Sequence, residues 1–201
     1  MVDLFNYSRR EASVVHIGAL DMGGDNPIRI QSMTTTNTND TEACVKQAEE
    51  IIKAGGELVR FTTQGSREAE NMKNINAGIR ADGYDTPLVA DVHFNPNVAD
   101  VAALYCEKVR INPGNYVDPA RKFIKQEYTD EEYAHELQKI EDRFVPFLNI
   151  CKENHTAIRI GVNHGSLSDR IRNRYGDTPE GIVESCMEFL RICKKENFHD
   201  V

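Results

Sequence analysis

Five short runs of the chain are apolar throughout or alternate apolar with polar residues. Each is followed, directly or after an excursion, by a longer stretch whose apolar residues return every three or four positions. The short runs, at 28–33, 58–62, 88–93, 108–112 and 157–163, predict strands, and the longer stretches predict helices. The helix expected over 41–54 shows the pattern best. Cys44, Val45, Ala48, Ile51 and Ile52 fall on one face. Asp40 and Thr41 offer an N-cap, and Gly55-Gly56 offers a stop. Further helices are expected over 66–80, 96–105, 167–175 and 179–197, and a long one from Asp130 onward.

Alternating strands and helices at this spacing imply parallel β/α units. Five units are legible, and Asp200-Val201 reads as the start of a sixth strand. A barrel of eight units needs about 250 residues, more than the 201 present. The expected fold is therefore α/β, a partial (β/α)8 TIM barrel of about five units. A doubly wound open sheet is the rival, weakened because no G-x-G-x-x-G follows the first strand. Runs at 14–17 and 19–22 flank Gly18 and predict a short N-terminal β-hairpin, placed to plug the N-terminal end of the barrel. The division expected is 1–27 for extension and hairpin and 28–201 for a truncated barrel domain. The stretch 116–154 exceeds one β/α connection, and its first half reads as a surface excursion. Open edge strands are templates for pairing, so a homodimer is the expected assembly.

Charge narrows the partners. The formal net charge is -8, which disfavours nucleic acid and anionic membranes, so any anion site must be a local concentration of positive charge. No run of about 18 apolar residues is present and no signal segment opens the chain, which predicts a cytoplasmic protein. The five cysteines, Cys44, Cys106, Cys151, Cys186 and Cys193, form no Cys-x-x-Cys pair. Most of them read as small buried hydrophobes, with no metal or cluster site of this chain's own.

Candidate chemistry follows from strand alternation, since residues two apart share a face. Apolar faces such as Val59 and Phe61, or Ile158, Ile160 and Val162, suit an outer helix layer. The opposite faces carry Arg60 and Thr62, Asp91 and His93, Lys108, Arg110 and Asn112, and Arg159 and Asn163. Barrel interiors are normally apolar, and barrel enzymes place their chemistry at the strands' C-terminal ends. Three guanidiniums brought together repel one another unless an anion pairs with them, and arginine's planar fork suits phosphate. A phosphate or diphosphate ester is the simplest ligand. Each residue also has a plainer reading. A strand arginine can be an ion-pair partner, Asp91 can hold an arginine in place, and His93 can be a satisfied core histidine. Turn chemistry alone can explain the asparagines around Pro113-Gly114. Thr34, Thr35, Thr36 and Thr38 read as a loop or capping run, or as hydrogen-bond donors to an oxyanion. Lys108 is the only strand lysine an aldolase could use, but it stands at the start of its strand, away from the C-terminal face.

Together the segments Pro27-Ile-Arg-Ile-Gln-Ser-Met-Thr34, Glu57-Leu-Val-Arg60, Pro87-Leu-Val-Ala-Asp-Val-His-Phe94, Val109-Arg-Ile-Asn-Pro-Gly-Asn115 and Arg159-Ile-Gly-Val-Asn-His-Gly-Ser-Leu167 form a specific set. They resemble the 4-hydroxy-3-methylbut-2-enyl diphosphate synthase family, in order, from about Ser8 to the end. Glu127-Tyr-Thr-Asp-Glu-Glu-Tyr133 and Gly176-Asp-Thr-Pro-Glu-Gly181 are similar to its longer form, found in plants and some bacteria. The resemblance implies an iron-sulfur oxidoreductase of the non-mevalonate isoprenoid pathway, which reductively opens 2-C-methyl-D-erythritol 2,4-cyclodiphosphate. It implies that Arg60, Arg110 and Arg159 hold the diphosphate and that Asp91, His93, Asn112 and Asn163 line the same pocket. It also implies a [4Fe-4S] cluster on a separate C-terminal domain, with ligands beyond Val201, and a ferredoxin- or flavodoxin-type electron donor. On that reading this portion binds substrate, holds no cluster and is inactive alone. The rivals are a non-redox phosphate-ester barrel, similar to a pterin synthase, and a non-catalytic phosphate-binding module.

Overall fold

A computed structural model describes residues 10–118 and 127–201. The chain opens with the antiparallel hairpin β1 (Val14–Ile17) and β2 (Leu20–Gly23), as the sequence predicts. Five parallel strands follow: β3 (Gln31–Met33), β4 (Leu58–Thr63), β5 (Leu88–Val92), β6 (Lys108–Ile111) and β7 (Ala157–Ile160). They pair strictly in chain order. Between them run α1 (Thr41–Lys53), α2 (Ser66–Ala81), α3 (Pro96–Ala103) and α4 (Asp130–Asn154), and after β7 come α5 (Asp169–Tyr175) and α6 (Pro179–Lys195). Neighbours in sequence that are neighbours in the sheet make a barrel-type progression, not a doubly wound sheet that reverses at its centre.

The first strand of the repeat is shorter than its pattern predicts. The Ile30 N–H donates to the Glu57 carboxylate at 2.8 Å, and Arg29 binds the same carboxylate at 2.9 Å. A side chain thus takes the donor that a longer strand would have used. Ile28 and Ile30 are left exposed, at 86% and 59%. The last strand also stops early. Gly161 N–H still donates to Ile111 at 2.8 Å before the chain turns at Asn163.

Helix ends follow local chemistry. Asp40 accepts from the Ala43 N–H and starts α1. Thr129 and Glu132 form a reciprocal capping box at the start of α4. The middle of the excursion, 119–126, lies outside the described residues.

Two apolar clusters divide the sheet's faces. Val59, Phe61, Ala90, Val109, Ile111 and Ile158 face the helices in the main core. Tyr116, Phe144 and Phe189 meet edge to face there, with ring centroids 5.0–5.7 Å apart. On the other face Ile17 of the hairpin is buried against Leu58, Val89 and Ala157, with Val15, Leu20 and Met22 around it. The hairpin therefore covers the N-terminal end of the inner face, as expected.

A buried ionic knot joins α4, α5 and α6. Arg170 is 2% exposed and donates to both oxygens of Glu188, at 2.6 and 2.7 Å, and to Asp118 at 3.2 Å. The Tyr133 hydroxyl donates to Glu188 at 2.6 Å, and its ring centroid lies 4.6 Å from the Arg170 guanidinium carbon. Burial works to lower the Arg170 pKa, and the carboxylates outweigh it and raise it above the ordinary value.

Candidate anion-binding site

Strand register turns the alternating pattern into rows across the inner face. Met33, Arg60, Val89, Lys108 and Ala157 pair across successive strands in one row. The next row, two residues nearer the C-terminal ends, is Thr62, Asp91, Arg110 and Arg159. Arg60, Arg110 and Arg159 thus share one face, as their spacing predicts. Arg60 reaches up from its row to bind Asp91 through Nη2.

Asp91 is the hub and is 1% exposed. Arg110 Nη1 donates to its Oδ1 at 3.2 Å, and the His93 ring Nε2 lies 3.1 Å from its Oδ2. Arg110 Nη2 donates to the Gly161 carbonyl at 2.6 Å. The packing requires glycine at 161, because a Cβ there would lie 1.9 Å from Arg110 Nε. Burial lowers the Arg110 pKa. Asp91 opposes the shift, while Arg60 and Arg159 reinforce it.

The charges do not balance. The Arg159 side chain is exposed and has no hydrogen bond or ion pair among the described residues. Arg60 Nε is buried without a partner among the described residues. Lys108 is 7% exposed, and its ammonium also has no partner among the described residues. Burial, then Arg159, then Arg60 pull its pKa down to about 8. Three guanidiniums and an ammonium thus share this face with one carboxylate, and only Arg60 and Arg110 bind it. Such a surplus in a low-dielectric setting is destabilising unless an anion answers it.

Lys108 is the residue that strand position concealed. Its place at the start of β6 suggests distance from the chemistry, but register puts it level with Arg60. The usable signal was its shared face with Arg110.

The two asparagines sit in the turns after their strands. Asn112 is buried and its amide exchanges hydrogen bonds with the Ser166 hydroxyl, at 2.9 and 3.1 Å. Asn163 is exposed and its Oδ1 accepts from the Gly165 N–H at 2.9 Å. These bonds hold the two turns at the mouth of the site. Gly114 makes the contact tighter, since a Cβ there would lie 1.7 Å from the Ser166 carbonyl. The threonine run is a loop over the end of β4. Thr34 N–H donates to Arg60 O at 2.9 Å, and the Thr38 hydroxyl to Thr62 O at 2.7 Å.

No group of three His, Cys, Asp or Glu side chains among the described residues is placed to hold a metal ion. Cys44, Cys106, Cys151 and Cys193 are buried, and burial raises each thiol, Cys193 to about 12. Thiols held protonated in the packed core do not fit an iron-sulfur cluster.

Comparison with known proteins adds identity to this geometry. Three proteins named 4-hydroxy-3-methylbut-2-en-1-yl diphosphate synthase (flavodoxin) match over 200 residues, all of this chain. Those of Phocaeicola vulgatus, Bacteroides thetaiotaomicron and Bacteroides fragilis are 78%, 77% and 77% identical. The chain spans only 33%, 33% and 32% of their lengths. A solved Plasmodium falciparum HPPK-DHPS structure aligns with 90% of this chain and 45% of its own, at 10% identity. Its TM-score of 0.39 supports no conclusion about fold. The family model described as the GcpE TIM-barrel domain matches residues 12–201, and the chain belongs to that family.

Proposed function

We propose that this chain is the substrate-binding barrel portion of an oxidoreductase. The reaction would open 2-C-methyl-D-erythritol 2,4-cyclodiphosphate reductively to 4-hydroxy-3-methylbut-2-enyl diphosphate. One observation carries the reading: cations outnumber carboxylates on the inner face toward the strands' C-terminal ends. A substrate with two linked phosphates supplies the missing negative charge. The names of the relatives point to the same chemistry.

In this reading Arg60, Arg110 and Arg159 hold the diphosphate. Asp91 orients two of the guanidiniums, and both keep further donors free for phosphate oxygens. His93, at the rim and hydrogen-bonded to Asp91, lines the pocket beside them. Asn112 and Asn163 line its mouth through the turns they brace. A [4Fe-4S] cluster would supply the electrons of the reaction, and the described cysteines do not fit it. Its ligands would come from outside these residues, which makes this portion a binder and not a catalyst by itself. The parenthesis in the relatives' names favours a flavodoxin over a ferredoxin as electron donor. We include a homodimer, a cytoplasmic location and the division at 27/28 in the proposal. No helix among the described residues is long and apolar enough to cross a membrane.

Calorimetric titration of the cyclodiphosphate into the chain tests the reading. Binding that Arg110→Ala weakens is expected. Absence of binding, or binding indifferent to all three arginines, overturns it. Light scattering at several concentrations tests the dimer.

A further inference from the structure

The two turns at the mouth of the site are fastened to one another at three places. At the first, the Asn112 amide exchanges hydrogen bonds with the Ser166 hydroxyl. At the second, Gly114 lies against the Ser166 carbonyl with no room for a β-carbon. The third belongs to the helix layer. Arg170 Nη2 donates to Asp118 Oδ2 at 3.2 Å, and its Nε donates to Oδ1 at 3.4 Å. Asp118 stands three residues beyond the 113–115 turn that follows β6. Arg170 stands four residues beyond the 164–166 turn that follows β7.

The guanidinium is anchored independently of Asp118. It sits on α5, whose start is fixed by the Ser168 hydroxyl accepting from the Ile171 N–H. Glu188 of α6 accepts from it through both oxygens, and Tyr133 of α4 binds the same carboxylate. One carboxylate is enough to balance one buried guanidinium, and Glu188 supplies it. The second carboxylate is on the segment leading out of a turn that bears a pocket residue. Arginine's fork is planar and rigid, so a group bound to it is held in position as well as in charge. The Arg170 and Asp118 side chains are 2% and 7% exposed, so water does not compete for this contact. The other ion pair at these turns, His164 with Asp177, is 61% and 40% exposed and holds its turn far less firmly.

We infer that Arg170 is a positioning residue of the anion site. Through Asp118 it fixes the 113–115 turn against the 164–166 turn, and so sets the separation of Asn112 and Asn163 across the mouth. Arg170 itself touches no ligand. The inference rests on the diphosphate-binding function proposed above and adds to it a residue outside the pocket. The two arms of Arg170 have separate effects: the Glu188 arm serves stability and the Asp118 arm serves position.

The test measures affinity and stability side by side on the full chain, by calorimetric titration of inorganic diphosphate and by urea melts. Asp118→Ala should weaken diphosphate about 3- to 10-fold, within the range for residues coupled in one hydrogen-bond network. Asp118→Asn keeps an acceptor for the fork, so its affinity should stay within about twofold, too little to signal a lost contact. Glu188→Gln should lower stability and leave affinity equally unmoved. Asp118→Ala and Asn112→Ala each release the same turn, so together they should weaken binding little more than the worse of the two alone. Should Asp118→Ala fail to fold, Asp118→Ser, whose shorter hydroxyl falls short of the guanidinium, replaces it. If Arg110→Ala weakens diphosphate while Asp118→Ala changes stability alone, Arg170 is structural only, and the inference is refuted while the arginine site stands. Additive losses with Asn112→Ala refute it too, and so does an Asp118→Asn loss as large as that of alanine, which would assign the effect to charge. If Arg110→Ala leaves binding unchanged, the binding function itself falls, and the inference with it.

Discussion

Two arginine clusters in this molecule use the same chemistry to opposite ends. Between α4 and α6, Arg170 meets Glu188, Asp118 and the Tyr133 ring, so one cation faces two carboxylates and its pKa rises. On the inner face, Arg60, Arg110, Arg159 and Lys108 face Asp91 alone, and burial and mutual repulsion lower Arg110 and Lys108. Apart from the exposed Arg159, both clusters are largely buried. The first is complete in itself and ties three helices together. The second, on the function proposed above, is completed by a ligand. Residue type does not separate a structural arginine from a binding one; the local ratio of cations to carboxylates does.

The sharpest way to break this comparison is to remove one carboxylate from each cluster. Glu188→Ala leaves Arg170 buried with weak compensation and should cost about 3–5 kcal/mol of stability. Asp91→Asn should cost about 1–3 kcal/mol, because Arg60 and Arg110 then lose a charged partner. Urea melts with and without inorganic diphosphate distinguish the two. Added diphosphate should stabilise the Asp91→Asn variant by more than it stabilises the wild type, and the Glu188→Ala variant only by as much as the wild type. Equal rescue of both would erase the distinction between the clusters.

A smaller effect is expected from Arg110 at the level of binding. Arg110→Ala should weaken diphosphate by roughly 10- to 150-fold, equivalent to about 1.5–3 kcal/mol for a hydrogen bond to a charged group. Arg110→Lys should retain only part of the affinity, because lysine keeps the charge and loses the fork. Wild-type affinity in the lysine variant would mean that Arg110 acts as a distant charge.

Lys108 sharpens the comparison through pH. Its pKa falls from 10.5 to about 8 in the fold. Between those values the unfolded chain binds the proton that the folded chain has released, so this group makes stability rise with pH from about 8 to 10.5. Below about pH 8 the charged ammonium is a constant cost. Lys108→Met should therefore be more stable at pH 7, on the order of 1–3 kcal/mol, and lack that rise. A less stable variant with an unchanged pH slope would place Lys108 in a structural ion pair. The smallest effect belongs to the rim of the complete cluster. Arg174 contacts Asp130, which is 94% exposed, and lies over the Tyr133 ring. Arg174→Ala should cost about 0.5–1 kcal/mol and leave anion affinity untouched.

Much of this was legible in the chain. Period-two alternation placed Arg60, Arg110 and Arg159 on one face, and Asp40 and the glycine pair bounded α1 within a residue. Features built from distant partners were not legible. The shortened β3 depends on Glu57 reaching across to Ile30, a competition that no periodicity reveals. Arg170 meets partners 18 and 52 residues away, so nothing nearby marks it as buried. Lys108 is hidden in the sequence because distance along a strand is local, while its level in the sheet depends on the stagger between strands.

The slot that Gly161 leaves for Arg110 bears on how such a site can change in descent. With no room for a β-carbon beside Nε, residues 110 and 161 act as one heritable unit although 51 positions separate them. Alanine at 161 should be tolerated only after Arg110 has given way to something shorter. On the binding role proposed for Arg110, such a shortening surrenders a grip on phosphate before any benefit at 161 can follow. A lineage moving away from the proposed ligand must cross that valley in a fixed order, and while that ligand is needed both positions are locked together.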